Sequence, residues 1–202
     1  MLKHRYAWRP FLKYGQLIKL KKNTVIFNQG DIGNGFYYLD AGSIKKTIFA
    51  DNGDERIIYN IADGMLFGED GMNREPYLAN AVATMDCTLY HFSKQDFLAA
   101  CTDDPNAAII FTGSLMYKLR LLAQTIKFMD STVETKLAHY LLRLKAEVDG
   151  VPVDQTTIAN SLGTSRVTIN KVLNKWKKEG VIEVSNRMIC ILDSDRMKQL
   201  AQ

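Results

Sequence analysis

From Gln16 to about residue 93, apolar residues alternate with polar ones in short runs, and turn residues interrupt them every 8–12 positions. The runs QLIKL, NTVIF, GFYYL, SIKKTIF, ERIIYNI and CTLYHF are rich in β-branched and aromatic side chains, which fit a pleated, half-buried surface. Between them lie QGDIGNG, DAG, DNGD and ADG, whose Gly, Asn and Asp residues tolerate the positive φ of tight turns. Asp51-Asn52-Gly53-Asp54 predicts a hairpin between two of the runs. An antiparallel β-roll or barrel is expected.

The period then changes. Asp103-Asp104-Pro105 opens a helix with an acidic first turn and an early proline, and no further proline follows until well past Asp130. Leu115, Leu119, Leu122, Ile126 and Met129 recur at spacings of four, three, four and three, a heptad seam that Ala108 and Thr112 extend less well. Such a stripe packs either within its own chain or against a second copy. The length of the helix, joining two differently patterned segments, favours a dimer interface.

From Ser131 the pattern stays helical and then ends in a hairpin. VETKLAHYLLRLKAEV predicts one amphipathic helix closed by Gly150 and Pro152. Asp154 can cap a helix over Gln155–Leu162, Gly163 ends it, and Thr164 or Ser165 caps the next helix two or three residues later. A helix-turn-helix requires that kind of short, Gly-containing turn. In the second helix Ile169, Val172, Leu173 and Trp176 share one face, while Arg166, Val167, Asn170, Lys171 and Asn174 share the other. IEVSNRMICIL, turning at Ser185-Asn186, predicts a wing. The fold class is therefore α+β, with a β-roll over residues 1–102, a dimerisation helix over 103–130 and a winged helix-turn-helix over 131–202.

Charge sharpens this picture. The formal net charge of +4 is modest, yet Thr164–Lys178 holds five basic residues and no acid. A charge run is often only a solvated face. Here it is sorted onto the outward side of one helix, the arrangement that phosphate attraction and groove reading need. Seven further basic groups in the first 30 residues have no such pattern and read as solvated surface. Cys87, Cys101 and Cys190 are scattered and odd in number, which argues against a disulfide framework, a zinc ribbon and an iron–sulfur site. With no apolar run near the roughly 18 residues of a membrane span, and no secretory pattern at the start, a cytoplasmic protein with no membrane partner is expected.

LGTSRVTINKVLNKWKKEGVIE resembles the helix-turn-helix of the catabolite activator/fumarate–nitrate regulator (CRP/FNR) family, and QGDIGNGFYYLDAGSIKK is similar to that family's β-roll. The likeness runs from about residue 16 to the end in the expected order of elements. It implies an effector-responsive homodimeric transcription regulator, not an enzyme, that binds an inverted repeat in double-stranded DNA and works with RNA polymerase. By position, Ser165 matches a phosphate-contacting residue, beside Thr164 and Asn170 on the same face. Arg166, Val167 and Lys171 match the three base-reading residues, most often Arg, Glu and Arg. Val167 departs from that pattern: it lacks the acid that accepts from cytosine N4, and its methyls favour thymine, implying A/T-rich half-sites.

The resemblance also locates an effector pocket at Phe67, Gly68, Glu69, Arg74, Tyr77 and Leu78. In cyclic-nucleotide-binding members a Gly-Glu pair is followed by an Arg that neutralises the phosphate, while the Glu accepts from the ribose 2′-hydroxyl. FGEDGMNREPYLANAVA keeps Gly68-Glu69, but Tyr77 stands at the Arg position and Leu78 follows it. A cyclic phosphate would be poorly compensated there, leaving Gly68 and Glu69 as turn and hairpin residues. The effector is then unknown, an organic and partly apolar molecule against Phe67, Tyr77 and Leu78. The alternative is a cyclic nucleotide held by Arg74 from a shortened loop. His91 and Cys87 read as ordinary strand residues, and no cofactor is assigned.

Two other classes compete. A cupin-like metalloenzyme needs two or three histidines and a carboxylate converging in the roll. Only His4, His91 and His139 exist, and His139 falls on a helix outside it. A bare nucleotide-binding module with no DNA role leaves the sorted basic helix unexplained.

Overall fold

The computed structural model describes residues 5–49, 53, 55–127, 130–145, 151–152, 154–185 and 188–202. The chain divides into two compact units, Met1–Ala123 and Gln124–Gln202.

The first unit begins with a 3-10 helix, Arg9–Tyr14, followed by eight strands. These are β1 (Gln16–Leu20), β2 (Val25–Phe27), β3 (Phe36–Ala41), β4 (Ser43–Phe49), β5 (Glu55–Ala62), β6 (Leu66–Phe67), β7 (Asn80–Ala83) and β8 (Cys87–Phe92). They form two antiparallel four-stranded sheets, ordered β1-β8-β3-β6 and β2-β7-β4-β5. All six runs read from the sequence are strands. β4 and β5 pair as a hairpin out to Phe49 and Glu55; of the turn expected over residues 51–54, Gly53 (φ 82) is described and the other three residues lie outside the described ones.

β3 shows how alternation builds two cores at once. Because successive side chains point to opposite faces, Tyr37 and Leu39 join Ile44, Ile61, Phe67 and Leu89 between the sheets. Phe36 and Tyr38 point the other way, onto Trp8, Phe11, Phe92 and the helices that follow. Trp8 packs among Phe11, Phe36, Phe92 and Phe97, with ring centroids 4.9–6.3 Å away. The N-terminal segment is thus a lid on the second core, a role its basic residues did not suggest.

Helix α1 (Lys94–Asp103) is closed at its start by a capping box, in which Ser93 and Asp96 each satisfy the other's backbone N–H. Helix α2 (Asn106–Lys127) follows as the long helix. Its stripe Ala107, Phe111, Ser114, Lys118 and Leu121 is buried or half-buried, and Ala107 and Phe111 pack on the second core.

The second unit comprises α3 (Val133–Lys145), β9 (Val151–Pro152), α4 (Gln155–Leu162), α5 (Arg166–Lys178), β10 (Ile182–Ser185), β11 (Met188–Ile191) and α6 (Ser194–Leu200). β10, β11 and β9 form one antiparallel sheet. Leu137 and Leu141 of α3 share a core with Ile158, Ile169, Leu173, Trp176, Ile189 and Met197. The expected hairpin is present, but the chain ends in α6 rather than in the wing. Met197, fully buried, anchors that last helix with Leu200 packed beside it, and two apolar residues in seven leave too weak a periodicity to read.

Candidate nucleic-acid interface and the polar site of the roll

The geometry of α4 and α5 follows from their caps. Asp154 accepts from the backbone N–H groups of Thr156 and Thr157 at 3.0 and 3.3 Å. Its carboxyl is held below the usual range, chiefly by the Thr157 hydroxyl and also by those N–H groups. Gly163 takes the left-handed conformation (φ 63) that ends α4, a position where a side chain would strain the backbone. Two residues on, Ser165 caps α5 by accepting from the Thr168 N–H at 3.1 Å. Ile169, Leu173 and Trp176 are buried and Val172 is half-buried against them.

The opposite side of α5 is open: Ser165, Arg166, Val167, Asn170 and Lys171 are exposed and Thr164 is half-buried. The structure brings all six together over the N-terminal turns of one helix, where the dipole favours anions. Thr168, which sequence reading left out, belongs with them. Its hydroxyl lies 2.8 Å from that of Ser165. One of the two protons serves their mutual bond, so the other remains to donate outward. Asn170 Oδ1 accepts from Asn174 at 3.2 Å and from Gln155 at 3.4 Å, which leaves the Asn170 amide as a donor. Of the wing, both strands are in place, while its tip at Asn186 lies outside the described residues.

Clipping α3 to α5, Glu134 accepts from Lys175 Nζ and Trp176 Nε1, each at 2.8 Å. Those two bonds, the lysine's first, pull its carboxyl below the usual carboxylate range. Lys175 is therefore engaged within the unit, while Arg166 and Lys171 stand exposed on the outward face and Lys177 and Lys178 at the C-terminal end of α5.

The expected effector residues are placed differently. Phe67 and Tyr77 are buried in the core between the sheets, and Tyr77 stacks on Phe27 with centroids 3.7 Å apart. Burial, with Tyr37 beside it, pushes the Tyr77 hydroxyl up. Leu78, next in the chain, is 73% exposed, since neighbours on an extended segment face opposite ways. Phe67 and Tyr77 thus share the interior of the roll, while Leu78 faces away from them. Arg74 is exposed at positive φ (63) in the loop.

Glu69 corrects a second expectation. It is more than a turn residue, for Gly68 (φ 77) swings the chain so that a 3-10 helix, Glu69–Gly71, buries it. Its carboxylate pairs with Lys118 of α2 and accepts from the Ser114 hydroxyl at 2.9 Å. Lys118 also donates to the Leu66 carbonyl at 2.9 Å. Beside it, Lys46 pairs with Asp70 at 2.9 Å, and Asp70 accepts from the Leu78 N–H at 2.9 Å. Two cations and two carboxylates thus balance inside the roll. Burial pushes the Lys118 ammonium down, against the pull of Glu69, and burial with these carboxylates pushes the Tyr59 hydroxyl up. The sequence signal was present but faint: Lys118 interrupts an otherwise uncharged stripe of α2.

His91 faces Asn34 at 3.0 Å, Cys87 is buried, and no cluster of three or more metal-ligating side chains occurs among the described residues. None of the described helices is long and apolar enough to cross a membrane.

Comparison with known proteins bears on both units. Residues 17–104 match the family model for the cyclic nucleotide-binding domain, and residues 135–200 that for the Crp-like helix-turn-helix domain. The "Cyclic AMP receptor protein" of Thermus thermophilus is 27% identical over 94% of this chain and 90% of its own length. The "Probable transcriptional regulator flp" of Lacticaseibacillus casei is 25% identical over 91% and 86%. Among solved structures, FixK2 of Bradyrhizobium japonicum shares the fold with TM-score 0.80 at 18% identity, covering 93% of this chain and 98% of that one. A CooA mutant from Carboxydothermus hydrogenoformans gives 0.82 at 20%, covering 96% and 90%.

Proposed function

This chain belongs to the CRP/FNR family of transcription regulators, and on that premise we propose that it acts as a cytoplasmic homodimer on an inverted repeat in duplex DNA, in concert with RNA polymerase. The observation that carries the reading is the sorted α5 face: Arg166, Val167, Asn170 and Lys171 stand exposed while Ile169, Leu173 and Trp176 are buried beneath them. Arg166 and Lys171 donate to guanine, Lys171 without the bidentate fork of arginine. Ser165, Thr164 and Asn170 position the helix on phosphates. Val167 offers methyl groups, which suit the thymine C5-methyl, so the half-sites are A/T-rich at that pair.

The dimer reading rests on α2. Leu115, Leu119, Leu122 and Ile126 are 42%, 58%, 39% and 67% exposed, an apolar stripe of the kind that marks an interface. Met129, the last seam position, lies outside the described residues. Two such helices meeting about a two-fold axis would set two recognition helices about 34 Å apart, one turn of DNA. Leu119→Asp should then yield monomers in sedimentation and weaken DNA binding, and an unchanged dimer mass removes the seam.

The roll is the sensing unit, and cyclic AMP is not its trigger. Glu69, the residue that would accept from the ribose, is buried and already paired, and Arg74 stands exposed. Selection from a random duplex library tests the reading as a whole. The wild type should recover an inverted repeat, and Val167→Glu should shift one base pair per half-site toward G·C without changing the salt dependence. Identical sites from both proteins would show that Val167 reads no base.

A further inference from the structure

The two long stripes of α2 differ by a single residue. Ala107, Phe111, Ser114, Lys118 and Leu121 turn toward the roll, while Leu115, Leu119 and Leu122, each one position on from a member of that series, turn outward, as does Ile126 a turn further on. One residue is roughly 100° around a helix. Both stripes are rich in apolar groups, so apolar burial by itself chooses poorly between them. The choice is made by charge. Lys118 is 7% exposed and satisfied by Glu69 and by the Leu66 carbonyl. Leu119 in its place would strand the Glu69 carboxylate without a partner and put a lysine in the apolar seam. Buried polar groups are known to fix register in this way.

The same contacts close the polar site of the roll. Glu69 has its donors in Lys118 and Ser114, Asp70 has Lys46 and the Leu78 N–H, and the four charges sum to zero. A ligand is not needed to complete this cluster. It can only compete with it.

We propose that Lys118 and Glu69 are positioning residues for DNA binding, fixing the rotation of α2 on the roll so that the ligand-free protein is the DNA-binding form. Sensing then works by releasing the pair rather than by completing it. This inference rests on the seam being the dimer interface, as proposed above.

The test uses the full chain, unfolded in denaturant, dialysed and refolded free of small molecules, with the duplex that untreated wild type selects. Refolded wild type should bind as tightly as untreated protein. Glu69→Gln/Lys118→Met removes both charges and leaves no ion unpaired, so it should fold. Its DNA affinity should nevertheless fall at least tenfold, with an unchanged salt slope, whereas Lys118→Arg should stay within a few-fold of wild type. A double variant that binds like wild type would make the pair merely structural and overturn the proposal. So would refolded wild type that binds only after a small-molecule extract of the producing cells is restored. Should the double variant fail to fold, the refolded wild type still decides. Sedimentation of the wild type keeps the two readings apart: a monomer refutes the dimer, while binding before and after refolding judges the ligand-free state.

Discussion

In the roll, Lys46, Glu69 and Lys118 are buried and Asp70 nearly so, each paired with an opposite charge. On α5, Arg166, Asn170 and Lys171 stand in solvent, and their inward neighbours Ile169 and Leu173 hold the helix in place. One unit uses charge to fix its own internal geometry. The other keeps charge available for a partner. The same residue type therefore has opposite consequences: removing Lys118 leaves Glu69 buried without its cation, whereas removing Lys171 leaves nothing inside the protein unsatisfied.

The sharpest way to break this contrast is to make the same change on both sides. Lys118→Met should cost about 3–5 kcal/mol in urea denaturation, the usual effect of stranding one member of a buried pair. Lys171→Met should stay within about 0.5 kcal/mol of wild type, as exposed substitutions do. Equal losses would mean that the roll cluster is as solvated as the recognition face. The second test runs the contrast in the other direction. Lys171→Ala should lose about 1–3 kcal/mol of DNA affinity and relax preference at one base pair. A uniform loss over all sequences, with a shallower salt slope, would make Lys171 a phosphate contact instead.

The contrast also explains what could be read from the chain. α5 was legible because its sorting is periodic within thirteen residues, from Arg166 to Lys178, and its caps lie next to it in sequence. The strands of the roll were legible for the same reason, since alternation and turn residues are local. The Lys118–Glu69 pair joins positions 49 residues apart, and its one local mark is a single lysine in an otherwise uncharged stripe. Only the fold reveals that Lys118 lies on the buried stripe. Tyr77 and Leu78 part company because adjacent residues of an extended segment face opposite ways, and the sequence does not say which faces the core. Helix α1 was missed although its capping-box residues, Ser93 and Asp96, stand at the right spacing. Trp8 was passed over as part of a basic leader, for its aromatic partners come from distant strands.

The mildest test concerns Glu134, which lies between the two extremes. Its side chain is 28% exposed and its partner Lys175 is 52% exposed, so solvent screens the ion pair and little of its Coulomb energy survives. The Trp176 indole N–H, which it also accepts, belongs to a fully buried ring and gives the contact most of its worth, about 1 kcal/mol for a hydrogen bond to a charged acceptor at this depth. Because Lys175 and then Trp176 hold the carboxyl below its unfolded value, the ionised form is favoured in the folded unit. That contribution is fully present above the unfolded pKa of about 4.3. It disappears as pH falls through the lower folded value, where both states are protonated. Glu134→Gln keeps an oxygen for the indole but no charge for Lys175, so it should lose somewhat less than about 1 kcal/mol at neutral pH. The gap between the two proteins should close in urea titrations carried well below pH 4.3. A gap that stays constant down to that acidity would mean that Glu134 acts through its shape, and that α3 is held to α5 by packing against Trp176 rather than by the carboxylate.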